Sequence, residues 1–335
     1  MEILTELSSI WAFIIAFAVF TYVVLDGFDL GVGILFPLFP PGKERNTAIN
    51  TVAPVWDGNE TWLVLGGGGL MAAFPLAYSI ILPAVYAPII AMLLALVFRG
   101  VAFEFRWRDP RHRAFWDFSF TTGSIVVALA QGITLGALLQ GIPVKDRAYA
   151  GGWWDWLTPF SLLVGVSLIV GYALLGATWL IMKTEGRTQD HCFRLAGRLG
   201  AATILCMILV SAATPFLKDA YFQRWFAWPQ VLFVAQVPLL VAIVSVLLFV
   251  TLRRRSEYWP FLMALALFAL GLLGLGVSMF PYVVPGAVTI REAAAPRSSL
   301  IFMLVGAGIM IPIILAYTAH AYWVFRGKTG DEGYH

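Results

Sequence analysis

Charge is what this chain has least of. Asp, Glu, Lys and Arg make up 12% of its 335 residues, against a hydrophobic share of 60% and a mean hydropathy of +0.83. Soluble domains carry about 25% charged residues, so a water-soluble fold is excluded. The net charge of +3 is dispersed over short loops and offers no basic patch for nucleic acid. Cysteine is almost absent. Cys192 and Cys206 form no CxxC pair, haem-attachment motif or zinc pattern and are read as structural. Histidine is equally scarce: His112, His191, His320 and His335 fall in loops, at the inner end of the last apolar run or in the tail. A haem held within this chain would need imidazoles inside the bundle, so no complete haem site is expected. Met71, Met92, Met207, Met279 and Met310 are read as gap-filling core residues rather than ligands. The opening Met-Glu-Ile-Leu-Thr-Glu has no basic n-region and no cleavage site near the end of the first apolar run, so the first helix is expected to be retained.

What the chain does have is length in its apolar runs. Crossing a hydrocarbon core takes about 20 residues of helix, and nine stretches qualify: 8–36, 52–75, 78–106, 115–140, 159–183, 194–214, 229–252, 259–283 and 299–326. The expected fold is therefore an all-α polytopic membrane protein with nine transmembrane helices, forming a single integral membrane domain over 1–335. Alternate loops hold fifteen Lys and Arg on one side against six on the other, with Arg99 alone inside a helix. The positive-inside rule then places the N-terminus outside and the C-terminus in the cytoplasm. Trp153, Trp154, Trp156, Tyr221, Trp225 and Trp228 cluster in the outer loops, the composition of an interfacial belt.

Within this apolar background, acids stand out. Leu25-Asp26-Gly27-Phe28-Asp29-Leu30-Gly31 and Trp56-Asp57-Gly58-Asn59-Glu60-Thr61-Trp62 interrupt long apolar segments, and the third run carries Arg99 and Glu104. A charge at a helix centre costs about 2.5 to 3.5 kcal/mol on insertion scales, so such groups face an interior and serve a function. With a rise of 1.5 Å per residue, Asp26 lies about 27 Å from the outer start of its helix. By the same reckoning Asp57, Glu60, Arg99 and Glu104 come from neighbouring helices to the same cytoplasmic depth, so all six groups are expected to converge. Tyr22, Asp26, Asp29 and Gly33 share one helix face, as do Asp57, Glu60 and Thr61. Arg99 and Glu104 are about 140° apart around their helix, so Arg99 is expected to pair with a carboxylate on another helix. Five carboxylates and one guanidinium cannot all be ionised in a low dielectric, and a partly protonated chain opening to the cytoplasm makes a proton-entry path. Asp57 alone also fits a helix N-terminus, where the dipole favours an anion. Gly27, Gly31, Gly33 and the run Gly66 to Gly69 are read as close-packing positions.

These segments resemble a known family. The two acidic motifs, the stretch Phe98-Arg99-Gly100-Val101-Ala102-Phe103-Glu104-Phe105-Arg106, and the later Met279-Phe280-Pro281-Tyr282-Val283-Val284-Pro285 and Ile311-Pro312-Ile313-Ile314-Leu315-Ala316-Tyr317-Thr318 are similar to subunit II of cytochrome bd-type quinol oxidases. The short outer loops are similar to its cyanide-insensitive branch. The resemblance implies a heterodimer with subunit I in the bacterial inner membrane, oxidising quinol and reducing dioxygen to water, and it leaves room for small accessory subunits. It implies haem b and haem d held mainly by subunit I, with a quinone lodged against subunit II in some relatives, and a fold of two four-helix bundles plus one peripheral helix. It gives Asp57 a place in a proton path from the cytoplasm, to which Asp26, Asp29, Glu60, Arg99 and Glu104 are added as path or supporting network. Two rivals remain. A proton-coupled secondary transporter also uses intramembrane carboxylates, although here they lie near one membrane face and the fifth to eighth runs offer no charged substrate site. A purely structural subunit would use the same carboxylates for packing.

Overall fold

The computed structural model describes residues 2–330, with side chains from residue 6 onward. Helices account for nearly all of it. The first helix, α1 (Glu2–Leu35), runs unbroken until Pro37, which sits in the short turn Phe36–Leu38 and cannot continue the ladder. A short helix α2 (Lys43–Asn50) leads into α3 (Trp56–Ala73). Proline then sets the breaks. Pro75 opens α4 (Pro75–Ala84), and Val85 separates it from α5 (Tyr86–Arg108). The run expected as one helix over 78–106 is therefore two, because Pro83 and Pro88 flank Val85 and each lacks an N–H to donate.

The following elements are α6 (Arg113–Gln140), a hairpin of β1 (Val144–Lys145) and β2 (Ala148–Tyr149), α7 (Pro159–Lys183) and α8 (Gly186–Ala213). Next come α9 (Asp219–Phe226), α10 (Gln230–Val234) and α11 (Gln236–Arg253), the last two replacing the single helix expected over 229–252. Then follow α12 (Trp259–Met279), a second hairpin of β3 (Tyr282–Val284) and β4 (Val288–Thr289), α13 (Ile290–Ala293) and α14 (Arg297–Val324).

Among the described residues, eight helical runs are long and apolar enough to cross a membrane, rather than nine. The missing one is α3, which is helical as expected over 18 residues, or about 27 Å. Asp57, Asn59, Glu60 and four consecutive glycines make it too polar to qualify by composition.

Helix α7 is the hub. It packs against α1, α6, α8 and α12, and its stretch from Gly171 to Ile181 is buried on every side. Backbone meets backbone where α1 crosses it: a Cβ added to Gly31 would lie 1.9 Å from the Tyr172 carbonyl oxygen, and one on Gly176 would lie 2.3 Å from the Gly31 carbonyl carbon. Only glycine permits such an approach. The close-packing reading thus holds for Gly31, whereas Gly67 and Gly68 on α3 face open space. Helices α8, α11 and α12 close a second group around α7. The last helix, α14, lies at the edge, with Leu300 as its one fully buried residue.

Candidate functional site

One face of α1 supplies the start of the site. Tyr22, Asp26 and Asp29, spaced i, i+4 and i+7, are all buried, the two aspartates completely. Arg99 reaches them from α5, where Gly123 of α6 lets the two backbones close up: a Cβ there would lie 2.9 Å from the Ala95 carbonyl oxygen. The fully buried guanidinium donates from Nη1 to Glu60 Oε1 at 2.7 Å and lies 3.5 Å from Asp26 Oδ1 through Nη2. Its flanks are the rings of Phe103, at 5.4 Å, and Phe120, at 6.0 Å. Arg99 therefore pairs with carboxylates of two other helices, as its distance around α5 from Glu104 required.

Two neutral chains extend the cluster. Asn59 Nδ2 donates to Asp29 Oδ2 at 2.6 Å, and Tyr322 of α14 donates its hydroxyl to Asn59 Oδ1 at 2.9 Å. On the other side, Gln131 of α6 donates to the Tyr22 hydroxyl at 2.6 Å and accepts from the Tyr172 hydroxyl of α7 at 2.8 Å. Both oxygens of Asp26, Oδ1 of Asp29, and Nε and Nη2 of Arg99 are buried without a protein hydrogen-bond partner. Buried polar groups are otherwise almost always satisfied, so these atoms have the donors and acceptors to hold ordered water.

The expected convergence of six groups is corrected to four. Asp26, Asp29, Glu60 and Arg99 come together, while Asp57 and Glu104 are exposed on the outer surface of the chain. The reason is helical phase. Helix α3 turns Asn59, Trp62 and Gly66 inward, which puts Asp57, Thr61, Val64, Gly68 and Met71 on an outward stripe, with Glu60 between the two and 22% exposed. Asp57 stands in the first turn of α3 and makes no capping hydrogen bond there. Glu104 pairs outward with Arg108 at 3.4 Å. Sequence reasoning passed over Asn59, Gln131, Tyr172 and Tyr322. It also passed over a tie below the cluster, in which Asp117 of α6 accepts from Arg45 at 2.8 Å and from Arg106 at 2.6 Å, while Arg106 also donates to Asn46 at 2.9 Å.

A family model, cytochrome bd terminal oxidase subunit II, matches residues 7–325. The chain belongs to this family. It is 30% identical to the cytochrome bd-I ubiquinol oxidase subunit 2 of Escherichia coli K12, over 96% of this chain and 95% of that one. It is 28% identical to the cytochrome bd ubiquinol oxidase subunit 2 of Bacillus subtilis 168, over 98% of each. The fold is that of a chain in the bd oxidase structure from Geobacillus thermodenitrificans, with a TM-score of 0.77 and 18% identity over 96% of this chain and 99% of that one. As a bd oxidase subunit II, the chain is part of an oxidoreductase complex whose family cofactor is haem.

Among the described residues, no histidine is buried in the helix bundle where it could ligate a haem. His112 is exposed beside Asp109, His191 is half-buried against Phe39, and His320 is exposed beside Trp323. His335 lies outside the described residues. No group of three or more His, Cys, Asp or Glu among the described residues is arranged to hold a metal ion.

Proposed function

We propose that this subunit stabilises a haem-bearing subunit I and supplies it with protons from the cytoplasm. The observation that carries the reading is a buried carboxylate–guanidinium cluster with a single flank, Glu60, turned toward the outward face on which Asp57 stands. Reducing dioxygen to water consumes protons, and a path for them needs groups that hold a proton at successive depths. Asp57 and the Glu104–Arg108 pair begin it on the outer surface of α3 and α5. Carboxylates facing hydrocarbon are costly, so this surface is covered by protein, and subunit I is the partner that covers it. Gly67 and Gly68, open on the same face of α3, let a partner helix come close. Asp26, Asp29 and Arg99 then form the supporting network behind Glu60.

In this reading α3 is the ninth crossing, stabilised by its neighbours rather than by its own hydropathy. The N-terminus is outside, the C-terminus is cytoplasmic, and 1–335 is one domain of the bacterial inner membrane. The helices α1, α3, α5 and α6 make one four-helix bundle, α7, α8, α11 and α12 the other, and α14 is peripheral. Quinol is the electron donor, the haems b and d are held mainly by subunit I, and a quinone is lodged against this subunit.

The test is Asp57→Asn in the purified complex. Normal haem spectra with quinol oxidase turnover lowered about 100-fold are expected, the scale of a lost positioned proton donor. Full turnover with unchanged proton uptake would remove Asp57 from the path.

A further inference from the structure

The cluster has one arm that the proton path does not use: the link from Asp29 through Asn59 to Tyr322. Tyr322 is unusual for its helix. Most of α14 is exposed, yet the Tyr322 ring sits edge-on to Phe28 of α1 at 6.3 Å and to Trp179 of α7 at 6.2 Å, and its hydroxyl reaches Asn59 across 263 positions of sequence. A side-chain amide has a donor end and an acceptor end. Asn59 Nδ2 faces two groups that only accept, Asp29 Oδ2 at 2.6 Å and the Leu25 carbonyl oxygen at 3.4 Å, which leaves Oδ1 to accept from Tyr322. Remove the tyrosine hydroxyl and Asn59 Oδ1 is left as a buried acceptor without its donor, and the amide that donates to Asp29 loses its anchor on α14.

Just beyond Tyr322, the chain is strapped down. Lys183, at the end of α7, donates to the Phe325 carbonyl oxygen at 2.5 Å, and Thr329 N donates to the Lys183 carbonyl oxygen at 2.8 Å. Lys328 donates to the Thr184 carbonyl oxygen at 3.0 Å and pairs with Glu257 at 2.9 Å. Asn50, at the end of α2, donates to the Gly330 carbonyl oxygen at 3.4 Å. The segment 325–330 is thereby tied to the ends of three other parts of the chain. At the far end of α14, Trp11 of α1 donates to the Leu300 carbonyl oxygen at 3.0 Å. A helix with so little buried surface is held at its two ends, and Tyr322 stands at the strapped one.

We infer that Tyr322 is a positioning residue for Asp29: it anchors the Asn59 amide that donates to the aspartate, and the C-terminal strap holds Tyr322 in place to do so. The inference builds on the proton-supply reading only in giving this geometry a use. Four groups bear on Asp29 together: Asp26 from its own helix, Glu60 from α3, Arg99 from α5 and Tyr322 from α14. Tyr172 of α7 faces the same cluster next to Asp26.

A double-mutant cycle in the purified complex tests it, using Tyr322→Phe, Asp29→Asn and the pair, read by quinol oxidase turnover and by thermal unfolding. Tyr322→Phe is expected to assemble with normal haem spectra, to lower turnover about fivefold, the scale of one lost hydrogen bond, and to shift its pH profile. In the Asp29→Asn background the same change is expected to have no further effect on turnover, since the ionisable group that Asn59 positions is already gone. Coupling in unfolding with wild-type turnover in every variant would keep the latch and remove the proton role. Additive effects in both readouts, or a silent Tyr322→Phe, would overturn the latch. Asn59→Asp, which retains the acceptor for Tyr322 but turns a carboxylate toward Asp29, is expected to lower turnover further than Tyr322→Phe; equal or better turnover would also overturn it.

Discussion

The two helix groups that meet at α7 are built on different principles. Around α1, α3, α5 and α6 the interior encloses a polar cluster: a guanidinium, three carboxylates and two amides, with three tyrosines from α1, α7 and α14. Around α8, α11 and α12 the described interior is apolar, with Leu248, Leu252, Phe261, Ala264 and Leu267 buried. A polar interior in a membrane protein resists nothing by itself, because each buried charge depends on its partner being present. An apolar one tolerates loss in small steps. On the proton-supply reading proposed above, the first group carries the chemistry and the second carries the fold.

The sharpest way to break this comparison is to remove the cation of the buried cluster, Arg99. Arg99→Met leaves Glu60 and Asp26 without their counter-charge, at a cost of about 3 to 5 kcal/mol for breaking a buried pair, and is expected to abolish accumulation of the intact complex. Stable complex with normal turnover would mean the carboxylates are neutralised in another way. Second in size is Leu248→Ala on α11, which opens a cavity beside Gly200. It is expected to lower stability by about 2 to 4 kcal/mol while specific activity per assembled complex stays at the wild-type level. If turnover falls with it, the division between the two groups is wrong.

Smallest is the strap. Hydrogen bonds from Lys328 and Gln189 hold the Glu257 carboxyl, which lies outside the membrane-spanning helices, below its usual value. A depressed value means that the stabilisation is present above the unfolded value and is lost as pH falls through the folded one. Lys328→Met is therefore expected to lower stability at neutral pH by about 1 kcal/mol or less for a half-exposed pair, read as a small drop in unfolding temperature, and to remove part of the loss seen on acidification. An acid sensitivity identical to wild type would show that this pair contributes nothing.

Much of this was readable beforehand, for a physical reason. Ionised groups in apolar helices are so costly that Asp26, Asp29, Glu60 and Arg99 announce themselves, and long apolar runs announce their helices. Neutral polar residues carry no such signal. Gln131 and Tyr172 are unremarkable on their own helices, and Tyr322 lies too far along the chain from Asn59 for any local pattern to join them. Within Trp56-Asp57-Gly58-Asn59-Glu60-Thr61-Trp62, polarity surrounds the helix on several sides, so phase was not fixed by sequence. A difference of two positions, Asn59 rather than Asp57, decided which side chain met Asp29. The helix breaks at Val85 and Ala235 were missed because hydropathy is continuous across them, although the prolines nearby marked them.

The tie of Arg45 and Arg106 to Asp117 has a consequence in time rather than in space. In the orientation proposed above, both arginines belong to the basic loops that keep the inner side in. While the chain is being threaded into the bilayer, they act as unpartnered charges that refuse to cross. Once the helices have gathered, the same two guanidinium groups are turned inward and shared by one carboxylate, Arg106 with only 1% of its surface left exposed. The address label is folded into the package after delivery, so a substitution there would damage sorting and packing through one residue at two separate moments.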